Sequence, residues 1–262
     1  MVGKLIKHEL FALFRILLFF AVAVLLLAAV GRLLVYVMLN NEVDGNFVTS
    51  IVYLLVVIAY MLGIVALIAA AYAVGAYRFY KTMFTGEGYL TFSLPLTPVQ
   101  LIVGKLASSM IAVIFSAGVS IVSLIIFMSG WSGSEMGVFY DVFGAFAEEI
   151  SALASNDPWQ IVEGVIQIIV AAPSVLLVIF AVISLGQLFV SHRKAITAAL
   201  IIVVYVLYGI ISSILSPHFA AMAENVSAHL SNCITIAIYL AVDFGSFFLI
   251  KYLVKNKLNL IV

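Results

Sequence analysis

Of the 262 residues, 66% are hydrophobic and only 9% are charged, whereas a soluble domain carries about 25% charged residues. Such a chain cannot clothe a water-facing surface, and its mean hydropathy of +1.29 makes lipid its main solvent. The formal net charge of zero says nothing by itself about acidic partners; no nucleic-acid partner is expected, and the single Cys233 excludes an internal disulfide and a cysteine-based metal cluster.

A membrane span needs roughly 20 mostly apolar residues to cross about 30 Å of hydrocarbon. Six runs of that kind occur, at about 16–39, 51–75, 106–128, 165–190, 196–216 and 232–250. The expected fold is therefore an all-α integral membrane protein, one domain over residues 1–262 with six transmembrane helices. Ahead of the first span, within residues 1–15, "KLIKHELFALFR" predicts an amphipathic interfacial helix. Ile6, Leu10 and Leu13 share one face, and Lys4, Lys7, His8 and Arg15 another. Phe11 falls on the basic face, which leaves both an anchor on anionic lipid and a protein contact open. The first apolar run is longer than the 7–15 residues of a signal-peptide core, so it is expected to stay as a span.

Charge sets the orientation. With the N-terminus inside, Lys4, Lys7, Arg15, Arg78, Lys81, Lys105, Arg193, Lys194, Lys251, Lys255 and Lys257 fall on the cytoplasmic side, and Arg32 alone lies near the outer face. The acidic residues Glu42, Asp44, Glu135, Asp141, Glu148, Glu149, Asp157, Glu163 and Glu224 sort outward. That partition follows the positive-inside rule and predicts both termini in the cytoplasm.

Outside the spans, "NNEVDGN" is a short acidic turn. Residues 129–163 form a longer extracellular segment in which Phe139, Val142, Phe143, Phe146 and Ile150 recur at helical spacing. Helices lying on the outer surface are expected there. Pro173 falls within the fourth span and removes an amide donor, which serves either plain packing or a hinge. "SPHFAAMAENVSAHLSN" is apolar enough to dip back toward the membrane.

Signatures of membrane enzymes fail one by one. His8-Glu9 lacks the second histidine of a zinc protease. Glu148-Glu149 has no basic partner at short helical spacing. Gly130-Trp131-Ser132-Gly133 matches a serine-protease pattern but sits in a glycine-rich exit from the third span, with His218 and His229 both in an outer loop. No Gly-x4-Gly-Lys-Ser/Thr loop occurs, since Gly104-Lys105 is followed by Leu106. No catalytic residue, metal or cofactor is expected on this chain.

One carboxylate remains at membrane depth. Asp243 precedes Lys251 by eight residues and so lies about 12 Å inside the cytoplasmic boundary, where a charge costs on the order of 2.5–3.5 kcal/mol. It is either part of a translocation path, with Gln167 and Gln187 as companions, or a helix-helix lock bonded to Ser or Thr. Polar residues along the spans, such as Ser116, Ser120, Ser123 and Ser184 together with Gln167 and Gln187, serve either to glue helices together or to bind cargo.

The most informative stretch joins the second and third spans. "YRFYKTMF" extends the second span as a helical stalk carrying Phe79, Tyr80, Met83 and Phe84 at i, i+1, i+4 and i+5. Gly86 and Gly88 then break it, with Glu87 between them, and Pro95 and Pro98 bound an apolar segment containing Tyr89, Leu90, Phe92 and Leu94. Thr97-Pro98-Val99-Gln100 is a helix start with a capping box. A loop this apolar rests on lipid headgroups or fills a groove on another protein, and a stalk, a break and an apolar plug together favour the groove.

The run "FYKTMFTGEGYLTFSLPLTPVQLIVGKL" resembles the segment between the second and third spans of permease subunits of bacterial type-2 ATP-binding cassette exporters. Glu87, Gly88, Tyr89, Leu90, Thr91, Phe92, Leu94, Pro95 and Lys105 occupy the positions of the family pattern. The resemblance implies that residues 76–105 are a cytoplasmic coupling element seated on a separate ATPase subunit, which would hold the ATP and Mg²⁺. Phe79, Tyr80, Met83, Phe84, Glu87, Gly88, Tyr89, Leu90, Phe92, Leu94 and Pro95 would form the ATPase-coupling surface. A second permease chain, the same or related, would complete the pathway. The expected cargo is an amphipathic peptide, antibiotic or lipid-like molecule; the alternative is a membrane-embedded immunity protein that sequesters such molecules without transport.

Overall fold

The computed structural model describes residues 2–40, 47–93, 95–128, 144, 148, 151–152, 155–189, 193–225 and 227–256. The expectations for Leu94, for the side chains of Tyr89, Leu90 and Phe92, for Ser132, and for most of 129–157 lie outside them. Among the described residues the chain is all-α. Its helices are α1 (Val2–Asn40), α2 (Phe47–Phe84), α3 (Gly86–Phe92), α4 (Pro98–Met128), α5 (Pro158–Gly186), α6 (Arg193–Asn225) and α7 (Ala228–Asn256).

Five of these, α1, α2, α4, α5 and α7, are long and apolar enough to cross a membrane, so the chain is a multi-pass membrane protein. The fifth expected span, 196–216, falls in α6, whose apolar part among the described residues includes Ala195–Ile211. The amphipathic start does not form a separate interfacial helix but is the beginning of α1, because no Gly or Pro occurs between Lys4 and Val30 to break it. At 38 residues α2 is about 57 Å long, well beyond the hydrocarbon thickness, and includes the stalk.

Two compact units are present, and both draw on α2 and α4. The first comprises residues 3–75 and 107–147. Its α1 buries Leu13, Leu17, Ala21, Val24 and Ala28, and its α4 buries Ala112, Ser116, Ser120, Ser123 and Phe127, each at steps of three or four residues. Water provides no drive for association in lipid, so small side chains that let backbones approach do the packing. The serine hydroxyls are satisfied within their own helix: Ser116 donates to Val113 O, Ser120 to Ser116 O and Ser123 to Ser120 O. Ser123 also reaches across to the Tyr60 hydroxyl of α2 at 3.0 Å. The Tyr60 ring stacks on Phe127 with centroids 4.6 Å apart, closing a core shared by three helices.

The second unit comprises residues 76–106 and 148–262 with the first two residues. Here α5 packs along α7, and α6 returns between them in sequence. Toward its C-terminal end α5 buries Leu176, Leu177, Phe180, Ala181, Val182, Ile183 and Ser184, while α7 buries Ile250, Leu253 and Val254. Gly186 allows the α5–α6 approach, because a β-carbon there would lie 3.1 Å from the Thr197 α-carbon.

Gly31 is the tightest point of the first unit: an added β-carbon would press on the Phe127 ring, with Cδ2 at 2.8 Å. That ring is stacked on Tyr60, which limits how it can shift. Gly31→Ala is expected to cost about 1–3 kcal/mol by overpacking, read as a lower Tm in detergent, and Gly31→Ala with Phe127→Leu to recover much of the loss.

Candidate functional site

The coupling stretch is built in the second unit by the end of α2, by α3 and by the start of α4. α2 ends at Phe84, and a bend at Thr85 leads directly into α3. The Thr85 hydroxyl donates to Lys81 O, and the Gly88 amide donates to Thr85 O at 2.7 Å. The Lys81 ammonium meets the Glu87 carboxylate at 2.7 Å, both half-exposed, and ties the last turn of the stalk to α3. Within α3, the Thr91 hydroxyl donates to Glu87 O at 3.1 Å. α4 starts with the capping box: the Gln100 amide donates to the Thr97 hydroxyl at 3.3 Å, and the Thr97 amide to Gln100 Oε1 at 3.0 Å.

Phe79, Met83 and Phe84 were expected on the coupling surface, and all three are buried inside the chain. The Phe79 ring lies parallel to Phe180 of α5 at a centroid distance of 4.0 Å, and Phe84 meets Phe79 edge-on at 5.8 Å. Burial of these rings removes the largest apolar area available at this end of the stalk. Lys105, also buried, donates to the Thr82 hydroxyl, which in turn donates to Arg78 O at 2.6 Å. Glu87 and Pro95 stay exposed, Tyr80 is half-buried and Gly88 is buried. The stalk is thus joined to α5 and α4, while beyond it Gly86, Glu87, Ser93 and Pro95 are exposed.

Two polar groupings join α5 to α7. Near their N-terminal ends, Glu163 accepts from Asn232 Nδ2 at 2.9 Å and contacts His229 Nδ1 at 2.8 Å, while His229 Nε2 lies 2.7 Å from Asp157. Further along, the Ser174 hydroxyl donates to Val170 O at 3.0 Å within α5, and the Asp243 carboxyl lies beside it. From Glu163 to Ser174 and from Asn232 to Asp243 is the same eleven-residue step, close to three turns. The two helices are therefore parallel and in register along one stripe. Gln167 belongs to that stripe, one turn from Glu163.

Of the residues expected on a translocation path, Asp243 lies beside Ser174, Gln167 shares the Glu163–Ser174 stripe of α5 by helical spacing, and Gln187 lies at the C-terminal end of α5, where Nε2 donates to Ile183 O. The nearness of Asp243 to Ser174 is the contact that the helix-helix lock calls for, and its place on the face toward α5 is one that a path residue would also take. Asp243 Oδ1, like Gln187 Oε1, is buried with no hydrogen-bond partner among the described residues. Among the described residues no three His, Cys, Asp or Glu side chains converge to hold a metal ion; the carboxylates at His229 meet opposite ring nitrogens. Sequence reasoning missed the His229 grouping, because partners 66 residues apart leave no local signal.

A double-mutant cycle with Ser174→Ala and Asp243→Ala, read by equilibrium unfolding in bicelles, is expected to return a coupling of about 0.6 kcal/mol and at most about 1.7. Strict additivity would show that the pair locks nothing. No family model, curated protein or solved structure matches this chain.

Proposed function

We propose that this chain is the membrane-spanning subunit of an ATP-binding cassette exporter, driven by ATP hydrolysed on a separate ATPase subunit. One observation carries the reading: between two long apolar helices lies a short helix, α3, tied to its stalk by Lys81–Glu87 and followed by a capped restart at Thr97. It occupies the stretch whose residues Glu87–Pro95 resemble the family's coupling segment. A push on α3 would pass through the stalk to Phe79, across the stacked ring to Phe180, and so into α5 and the helix parallel to it. Phe79, Met83 and Phe84 act as transmission, and the contact with the ATPase falls to residues 87–95.

In this reading α6 supplies the sixth span, both termini are cytoplasmic and the membrane is a bacterial plasma membrane. Apolar side chains stand exposed around α6, among them Ile202, Tyr205, Tyr208 and Ile211, available to lipid and to a second permease chain. The cargo is an amphipathic peptide, antibiotic or lipid-like molecule, and Asp243 with Gln167 faces its path.

Affinity purification from the native membrane tests this. An ATPase subunit is expected to co-purify with the wild type and to be lost with Leu90→Asp plus Phe92→Asp. Absence of any ATPase would instead favour a protein that sequesters its ligand without transport. A further variant separates seating from transmission. Phe79→Ala is expected to keep the ATPase bound while coupled export falls about two- to tenfold, the equivalent of the roughly 0.5–1.5 kcal/mol of an aromatic pair. Equal loss of binding and export would place Phe79 at the partner contact.

A further inference from the structure

At the end of α5 remote from the stalk, about 26 Å along the helix from Phe180, the His229 ring lies between two carboxylates. Nε2 is 2.7 Å from Asp157 Oδ2 and Nδ1 is 2.8 Å from Glu163 Oε1. An ionised carboxylate only accepts, and a neutral imidazole has one N–H. Only the imidazolium, with a donor on each nitrogen, satisfies both contacts. In the neutral ring, one nitrogen lone pair would face a carboxylate oxygen at under 3 Å, a repulsive pairing.

The surroundings fix the carboxylates and leave the ring as the variable element. Glu163 keeps its other oxygen on Asn232 Nδ2 at 2.9 Å, and Asp157 Oδ2 also accepts from Gln160 Nε2 at 3.2 Å. Asp157 and Glu163 are the charged groups acting on the ring from α5. On α7 its neighbour in the grouping, Asn232, is neutral. The ring is itself partly open to solvent, with 43% of the side chain exposed, so protons reach it without a path through the protein.

We propose that His229 is a proton-operated latch, joining the N-terminal ends of α5 and α7 when protonated and letting them part when it is neutral. As pH rises through the imidazole range, the two-sided contact is lost, one carboxylate turns to water, and Glu163–Asn232 is the one polar contact of the grouping left to oppose parting of the helix ends. The Ser174–Asp243 contact lies three turns away and keeps the rest of the pair joined. This device depends on the local geometry and not on the identity of the cargo or of any ATPase.

Two native residues flank the latch and report on it: Trp159 on α5 and Cys233 on α7, both exposed. With Trp131→Phe as background, bimane attached to Cys233 in the full chain in nanodiscs is quenched by Trp159 at short range, and Trp159→Phe supplies the unquenched reference. Quenching is expected to be strong at acidic pH and to fall severalfold across the histidine range. His229→Gln is expected to abolish that pH dependence. Asp157→Asn with Glu163→Gln, which keeps the histidine and removes both acceptor charges, is expected to abolish it too. A pH response that persists in either variant, or none in the wild type, overturns the latch.

Discussion

A backbone that crosses hydrocarbon has no water to bond to, so every amide and carbonyl within the membrane must find its partner in the chain itself. That constraint turns this apolar sequence into long helices and decides how they touch. Since lipid is as apolar as leucine, nothing is gained by hiding leucine from it, and association falls to close contact and to the few polar groups present. Serines on α4 therefore bond back to their own helix and leave a slim face, against which the Tyr60–Phe127 stack and Gly31 fit. Polar side chains that reach between helices, at Ser123, Asp243, Asn232 and His229, are few, and each fixes a relative position.

The same constraint explains why the connector between α2 and α4 is built as it is. A span that ends in ordinary loop would leave its last carbonyls and the next helix's first amides to water. Here Thr82 and Thr85 bond to carbonyls in the last turns of α2, Gly88 picks up Thr85 O, and Thr97 and Gln100 satisfy each other at the start of α4. The result is a connector whose two helix ends are each hydrogen-bonded, with α3 fixed to the stalk by a half-exposed ion pair.

Much of this was legible in the sequence where the signal is local. The capping box at Thr97–Gln100 was readable from its spacing, and the continuation of α2 as a stalk from the unbroken helical run through Phe84. Membrane class followed from composition. Other features were not readable, for physical reasons. Gly86 and Gly88 signal a break, yet the chain between Gly86 and Phe92 is helical, because Glu87 pairs with Lys81 and accepts the Thr91 hydroxyl. Phe79, Met83 and Phe84 turn inward, which a segment apolar on most sides does not announce. The amphipathic start was expected as a separate helix on the surface, whereas nothing in its sequence interrupts it before the first span. The pairing of His229 with Asp157 and Glu163 depends on how α5 and α7 align, and a nearly uniform apolar pattern carries no register.

That alignment constrains motion as well as packing. The two polar groupings on α5 and α7 have equal separations on both helices, like two rungs fixed to parallel rails. Sliding one helix along the other, or turning it about its axis, would break both rungs together. Splaying the rails from the His229 end would release one rung and leave Ser174–Asp243 as the pivot. Opening by tilt is thus the cheaper movement, and it exposes the face that carries Gln167.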